Sequence, residues 1–195
     1  MDGQSNWEYD WDASPMGTCF RDSTLQTCSQ GNVAVYALVA ESVEEVQVRS
    51  FLPPLLSSSS LLITHAQAAI KFANDNYLRL SVKSSGHDML GRSSAKGSFQ
   101  INTQKFQSIQ FHDSFTVDGE DLGSAVTIGS GVGLYTAVQA AKAVGKTIVA
   151  GTAASVSAGA GWFQAGGHGS VSTKLGMGAD NLLRTLFPSF LPSPV

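Results

Sequence analysis

A run of small residues that ends in a histidine, Ser84-Ser85-Gly86-His87, is the part of this chain best suited to chemistry. It follows a strand-like segment, residues 78–82. The residues before His87 carry almost no side-chain bulk, so their backbone N–H groups can approach a ligand closely. Consecutive N–H groups in such a turn form a concave anion site, and a diphosphate is its natural guest. The imidazole of His87 would then face whatever the diphosphate carries.

A second tract of small residues spans 151–161, from Gly151 to Gly161. So many small residues let the backbone lie flat against a planar or extended ligand. A glycine turn, Gly166-Gly167-His168-Gly169, follows it, and Asp180 lies a little further on. A helix or turn cap would explain Asp180 without any ligand.

Two motifs imitate nucleotide-binding loops without meeting their requirements. The turn Gly129-Ser130-Gly131-Val132-Gly133 has Leu134 where the dinucleotide fingerprint needs glycine, so a tight strand-to-helix turn is the better interpretation. Gly145-Lys146-Thr147 resembles the end of a phosphate-binding loop. A predicted helix precedes it, however, whereas that loop requires a strand before it and a helix after it.

Composition narrows the function classes. The 195 residues are enough for one domain or one large lobe, and the net charge of −3 gives no basic surface for nucleic acid. The sequence contains neither a Cys-x-x-Cys nor a His-Glu-x-x-His motif, so its residue spacing predicts no metal site. The longest apolar stretch, 51–63, contains two prolines and four serines, so no membrane span is expected. The acidic, polar start does not resemble a secretory signal.

The chain alternates between predicted strands and helices. Strands are predicted over 33–40, 78–82, 98–102, 125–128 and 147–150, and a helix over 134–144. This mixture indicates an α+β or α/β layered domain. Residues 1–27 form an irregular lead-in.

One further helix is interrupted. It begins at a capping box, Ser42 and Glu45, and continues over 66–73, with Ala68, Ala69 and Phe72 on its predicted buried face. Residues 48–65 break it with two prolines. This insertion and the tail 184–195 are rich in Phe, Leu, Pro and Ser. Two explanations stay open: retained, translated intron, or a genuine surface loop with a short natural tail.

On these residues the chain resembles FAD-linked oxidases of the vanillyl-alcohol oxidase / p-cresol methylhydroxylase superfamily, in the berberine-bridge-enzyme-like branch. The resemblance covers 28–183 apart from the insertion. It is carried by Cys28-Ser29-Gln30-Gly31-Asn32 with the strand after it, the His87 loop, 126–133 and 150–181. It implies an α+β FAD-binding domain of the p-cresol methylhydroxylase type, in which a small parallel-sheet subdomain joins a mixed or antiparallel one with flanking helices.

The resemblance implies FAD as the cofactor, bonded through His87 to the flavin 8α-methyl carbon, with Lys83 or Arg92 adding a cation near the diphosphate. The residues implied to bind the cofactor are Lys83, Ser84, Ser85, Gly86, His87, Asp88, Gly91, Ser93, Gly151, Thr152, Ser155, Gly159, Gly161, Gly166, Gly167 and Asp180. Some members form a second flavin bond through a cysteine near the place of Ala153. The tract 151–161 has no cysteine, which excludes a doubly linked flavin.

The implied reaction is an oxidase reaction, in which hydride passes from a small-molecule substrate to the flavin and dioxygen then takes the electrons. In the family the catalytic base comes from a later substrate domain, so no catalytic residue can be named and a truncated flavin-binding lobe is expected. The alternatives are an inactive fragment or a non-enzymatic module for another phosphate ligand. The resemblance also implies a disulfide between Cys19 and Cys28 and leaves secretion open.

Overall fold

The computed structural model describes residues 33–40 and 68–185. Its strands are β1 (Tyr36–Val39), β2 (Arg79–Lys83), β3 (Ser98–Asn102), β4 (Ile109–His112), β5 (Thr116–Val117), β6 (Glu120–Asp121) and β7 (Ala125–Ile128). The described helices are α1, which is helical over residues 68–75, α2 (Leu134–Ala143), α3 (Gly161–Gln164) and α4 (Ser172–Leu175), followed by a 3-10 turn at Ala179–Asn181. No helix in these two ranges has the length and apolar character that a membrane crossing requires.

Three strands form a parallel sheet in the order β1-β3-β2. Tyr36 of β1 and Leu80 of β2 both pair with Phe99, so β3 lies in the middle. Parallel neighbours need a crossover connection, and α1 precedes β2 in the chain. The connection from β2 to β3 is the loop that contains His87, which therefore starts at the carboxyl end of a parallel strand, where open α/β sheets commonly bind ligands.

The two faces of the parallel sheet differ in an unusual way. Ser81 and Lys83 of β2 pair with Gln100 and Asn102 of β3, and these four polar residues are all buried. Hydrogen bonds satisfy part of this face: the hydroxyl of Ser81 lies 2.9 Å from that of Ser98. The opposite face is apolar. There the ring of Phe72 from α1 lies 5.6 Å from that of Phe99.

The second half of the described chain is antiparallel. Strands β4 and β7 pair with each other, and β5 and β6 form a short hairpin between them. After β7 the turn 129–133 leads into α2, which buries Leu134, Ala137 and Ala141 on one helical face. One parallel sheet and a set of antiparallel strands thus follow each other along the chain, which agrees with the predicted α+β class.

Two expectations about these elements are wrong. Residues 147–150 form no strand, because among the described residues no neighbouring strand pairs with them, and β propensity alone does not replace a partner. On α1, Ala69 and Ala73 are buried, while Ala68 is exposed and Phe72 is 52% exposed.

Some predictions fall on residues that lie outside the described ranges. These are the lead-in 1–27, Cys19 and Cys28, the capping box at Ser42 and Glu45, the insertion 48–65, and residues 186–195 of the tail. The domain bounds 28–183 therefore stay a prediction.

Candidate functional site

The loop after β2 has a defined shape. Gly86 is buried and has φ +84°, a left-handed conformation that favours glycine. Asp88 closes the loop: its carboxylate accepts a hydrogen bond from the backbone N–H of Arg92 at 2.6 Å and binds the guanidinium of the same residue at 2.6 Å. The hydrogen bonds from Arg92 hold the pKa of Asp88 below its usual range.

His87 reaches from this loop to the small-residue tract. Its Nε2 lies 2.8 Å from Oγ of Ser155. The ring is half-buried, and burial lowers the pKa of His87. Because burial penalises the charged form, the neutral imidazole, which keeps one nitrogen lone pair, is favoured. This is the form that acts as a nucleophile.

A cluster of serines ties three segments of the chain together around His87. The hydroxyls of Ser84 and Ser157 both donate to the backbone carbonyl of Ser130. The backbone N–H of Ser157 donates to Oγ of Ser85 at 3.1 Å. We call Ser84, Ser85, Ser130 and Ser157 the serine cluster. It fixes the His87 loop against both the turn 129–133 and the tract 151–161.

Two kinds of polar group in this region have no hydrogen bond of the expected kind within residues 33–40 and 68–185. Oγ of Ser130 is buried and forms no hydrogen bond within the part of the chain that the structure describes. In the same ranges, the backbone N–H groups of Ser85 and Gly86 donate to no carbonyl. Buried polar groups are almost always hydrogen-bonded, so these groups fit a site that receives a polar ligand.

Backbone packs directly on backbone where the tract meets the turn. A Cβ on Gly159 would lie 2.5 Å from the carbonyl oxygen of Gly129. Gly133 forms an antiparallel bridge with Ser157, and the N–H of Ala158 donates to the carbonyl of Val132 at 2.8 Å. The structure thus needs Gly159 for packing between two backbone segments.

The first turn of α2 is also occupied by the tract. The N–H groups of Leu134 and Tyr135 donate to the carbonyls of Val156 and Ala154 at 2.8 and 3.1 Å. A dinucleotide fold instead places a diphosphate at this end of its first helix. The interpretation of 129–133 as a strand-to-helix turn is therefore confirmed.

The other predicted site residues lie in varied surroundings. Lys83 is only 4% exposed at the end of β2, and Gly91 has φ +70° within the loop. The carbonyl of Ser93 accepts a hydrogen bond from the Gln100 side chain at 2.8 Å. Arg92, suggested as a cation for the diphosphate, binds Asp88.

The tract and the turns after it hold the remaining predicted residues. A Cβ on Gly151 would meet the indole of Trp162 at 2.8 Å, whereas one on Gly161 would meet nothing within 4 Å. Thr152 is exposed. Hydrogen bonds thus bring Ser84, Ser85, Ser155 and His87 into one place and leave Thr152 at the surface.

Gly166, Gly167 and Asp180 belong to a separate turn system. Both glycines have positive φ, and a Cβ on Gly167 would lie 2.8 Å from Cα of Gly178. The Asp180 carboxylate accepts a hydrogen bond from the N–H of Met177 at 2.7 Å. This contact is the local turn cap that the sequence had left as an alternative for Asp180.

Ser130 and Ser157 were not among the predicted site residues. Both were visible as hydroxyl residues within glycine-rich segments, and such residues can bond the backbone nearby. Nothing in the local pattern, however, shows that two hydroxyls from distant segments share one carbonyl. Among the described residues, no group of three or more His, Cys, Asp or Glu side chains is arranged to hold a metal ion.

Comparison with known proteins gives a consistent result. A family model described as FAD binding domain matches residues 63–187. The flavin-dependent oxygenase ucdF of Aspergillus ustus is 35% identical over 182 residues, which are 92% of this chain and 29% of that protein. The FAD-linked oxidoreductase easE of Arthroderma otae is 33% identical over 172 residues, 87% of this chain and 25% of that protein.

Among solved structures, the VAO-type flavoprotein MtVAO615 of Myceliophthora thermophila C1 is similar with a TM-score of 0.64 and 30% identity. The match covers 82% of this chain and 25% of that one. This chain thus spans between 25% and 29% of the length of these three proteins.

Proposed function

Because this chain belongs to the FAD binding domain family of vanillyl-alcohol-oxidase-type flavoproteins, we propose that it forms the FAD-binding part of an FAD-dependent oxidoreductase of the oxidase type. The observation that carries the proposal is the contact between His87 and Ser155, at 2.8 Å, beside a loop that the serine cluster holds in place. This contact puts an imidazole between a loop suited to a diphosphate and a tract suited to a flat ring.

The residues of the site fit FAD. The N–H groups of Ser85 and Gly86 and the buried hydroxyl of Ser130 are polar groups that a diphosphate or ribityl chain can satisfy. The open space at Gly161 leaves the tract able to approach a ligand. Residues 84–88 would hold the diphosphate, and residues of the tract 151–161 would contact the flavin ring.

When bound, FAD supplies the redox chemistry, and the protein supplies binding, orientation and electrostatics. We propose a small molecule as the substrate and dioxygen as the electron acceptor. The FAD is attached covalently through His87, and burial favours the neutral form of its imidazole, which is the nucleophilic form. Covalent attachment prevents loss of the cofactor and raises its reduction potential.

Acid precipitation of the flavin-loaded protein tests this proposal. The purified chain is incubated with FAD in air and then precipitated with acid. We expect a yellow protein whose flavin fluorescence stays in the pellet. His87→Ala should release all flavin into the supernatant, whereas His112→Ala, a change on strand β4 outside the site, should retain it.

The other outcomes separate the competing functions. If all colour is released from the unmodified chain, FAD binds without a covalent bond and the attachment to His87 is wrong. If the chain stays colourless and takes up no FAD, this stretch of sequence is an inactive fragment or binds a different phosphate ligand. Acid-stable flavin on the His87→Ala protein would place the bond on another residue.

A further inference from the structure

We propose that Ser155 is a positioning residue for His87: its hydroxyl holds the imidazole by Nε2 and thereby directs Nδ1 to the flavin carbon. This inference rests on the covalent attachment proposed above and adds a residue and an atom to it. The proposed role acts through His87, and it is separate from the direct cofactor contact that the family resemblance implies for Ser155.

The backbone on both sides of Ser155 is rigidly mounted. The carbonyls of its two neighbours, Ala154 and Val156, accept hydrogen bonds from the N–H groups of Tyr135 and Leu134 at the start of α2. The N–H of Val156 donates to the carbonyl of Ala153 at 3.2 Å. A side chain whose backbone is fixed in this way can hold a partner in one orientation, as supporting residues do around reactive groups.

The contact selects the nitrogen that reacts. A neutral imidazole has one N–H and one lone pair, and a hydrogen bond to one nitrogen decides which atom carries the proton. When Nε2–H donates to the Ser155 hydroxyl, the lone pair is on Nδ1. The lowered pKa of His87 favours the neutral over the charged imidazole, and the hydrogen bond to Ser155 is what we propose selects the tautomer.

The Ser155 hydroxyl can pair with Nε2 of His87 both before and after attachment, because a hydroxyl both donates and accepts hydrogen bonds. Nδ1 of His87 forms a bond to the 8α-methyl carbon, which loses one hydrogen, and the imidazole loses the proton of Nε2. The two electrons and two protons released by forming this bond pass to dioxygen and give hydrogen peroxide. Afterwards Nε2 carries a lone pair, and the Ser155 hydroxyl can turn to donate to it. The ring therefore stays held throughout.

The test follows the formation of acid-stable flavin with time after FAD is added in air to the flavin-free chain. Ser155→Ala should slow attachment about tenfold or more, an effect of the size seen when the hydrogen-bond partner that orients a metal-binding histidine is removed. Its Kd for FAD, measured before attachment proceeds, shows how much of this loss of rate comes from weaker binding. Ser155→Thr keeps the hydroxyl and should restore most of the rate.

The chain contains a matched control. His112 Nε2 lies 2.9 Å from Oγ1 of Thr127 on strands β4 and β7. Thr127→Ala breaks a histidine–hydroxyl bond of the same kind and should leave attachment unchanged. Thermal unfolding of each variant identifies any general loss of folding.

A second measurement identifies directly which imidazole nitrogen of His87 is bonded to the flavin. Proteolysis of the loaded protein, followed by NMR of the flavin peptide, distinguishes linkage through Nδ1 from linkage through Nε2. We expect Nδ1 in the unmodified chain and a mixture of both in whatever product Ser155→Ala forms.

Any one of the following results would overturn the inference while leaving the proposed function intact. They are an unchanged rate and nitrogen in Ser155→Ala, a rate in Ser155→Thr as low as in Ser155→Ala, and an Nε2 linkage in the unmodified chain. A drop in FAD affinity that accounts for the whole rate loss would also overturn it, since Ser155 would then act in binding. No acid-stable flavin in the unmodified chain rejects covalent attachment itself.

Discussion

Two histidine–hydroxyl pairs of almost equal length occur in different regions of this molecule. His87 and Ser155 are 2.8 Å apart and connect two glycine-rich segments, whereas His112 and Thr127 are 2.9 Å apart on adjacent antiparallel strands. Thr127 is exposed, and the ring of His112 also lies 5.3 Å from that of Phe115. The same chemical pair thus stabilises a strand pair in one region and holds a half-buried loop in the other. The surroundings decide its role.

The reason for which glycine is needed also differs between positions in these two regions. Near His87 they lie where backbone occupies the place of a side chain, as at Gly159 and Gly131. In the β5–β6 hairpin, Gly119 has φ +88°, and a Cβ added there would meet no atom within 4 Å. Gly159 and Gly131 are therefore needed for close packing, and Gly119 is needed for its backbone conformation.

The largest effect should come from adding a methyl group at this packing contact. In Gly159→Ala the new Cβ would be 2.5 Å from a backbone oxygen that cannot rotate away. We expect it to lower the free energy of unfolding by about 3 kcal/mol or more. Gly119→Ala, which only adopts an unfavourable φ, should lower it by about 1 kcal/mol. Urea denaturation of the two variants measures the difference, and equal losses would contradict the comparison.

Replacing Ser130 should have an effect of intermediate size, and it should stabilise the flavin-free chain. Its buried hydroxyl has no partner among the described residues, and an unsatisfied polar group of this kind is destabilising. Ser130→Ala should therefore raise the stability of the flavin-free chain by about 1 kcal/mol. The same variant should bind FAD less tightly. Urea denaturation with and without FAD checks both signs, and a destabilised flavin-free variant would show that this hydroxyl has a partner.

The smallest expected effect is on how the stability of the chain depends on pH through His87. Burial lowers the pKa of His87 in the folded chain, so just below the ordinary value of about 6.5 the unfolded chain binds more protons. Stability should therefore rise with pH through this window and fall on acidification. His87→Ala should remove this part of the slope between about pH 7.5 and about pH 5.5, whereas His112→Ala should keep it. Asp88, whose pKa is lowered, acts in a separate window near pH 4 and below.

Local sequence patterns predicted β1, β2, β3 and β7 and the helices α1 and α2, but not β4, α3 or α4. Apolar residues that alternate on β2 and β3 and the helical face of α2 are strong local signals. The β5–β6 hairpin was not predicted, although Asp118-Gly119, both with positive φ, is a favourable hairpin turn. The strand predicted over 147–150 failed because a strand depends on a partner that the local pattern does not show.

The polar face of the parallel sheet shows a second feature that local sequence patterns do not predict correctly. Ser98, Gln100 and Asn102 alternate with apolar residues on β3, a pattern that usually indicates an exposed face. They are buried because the His87 loop supplies partners, as when Ser93 accepts from Gln100. The loop itself was predictable from its small residues and its family resemblance. Its bonds to Ser130 and Ser157 were not, since they join segments distant in sequence.

The order of strands in the parallel sheet has a consequence for synthesis. The middle strand, β3, is the last of the three to leave the ribosome, and within residues 33–40 and 68–185 both flanking strands pair with it alone. Until Asn102 has emerged, β1 and β2 expose backbone groups that can template aggregation. The nascent polypeptide therefore passes through an interval in which both strands lack a pairing partner in this sheet, and that interval ends when β3 pairs with both of them.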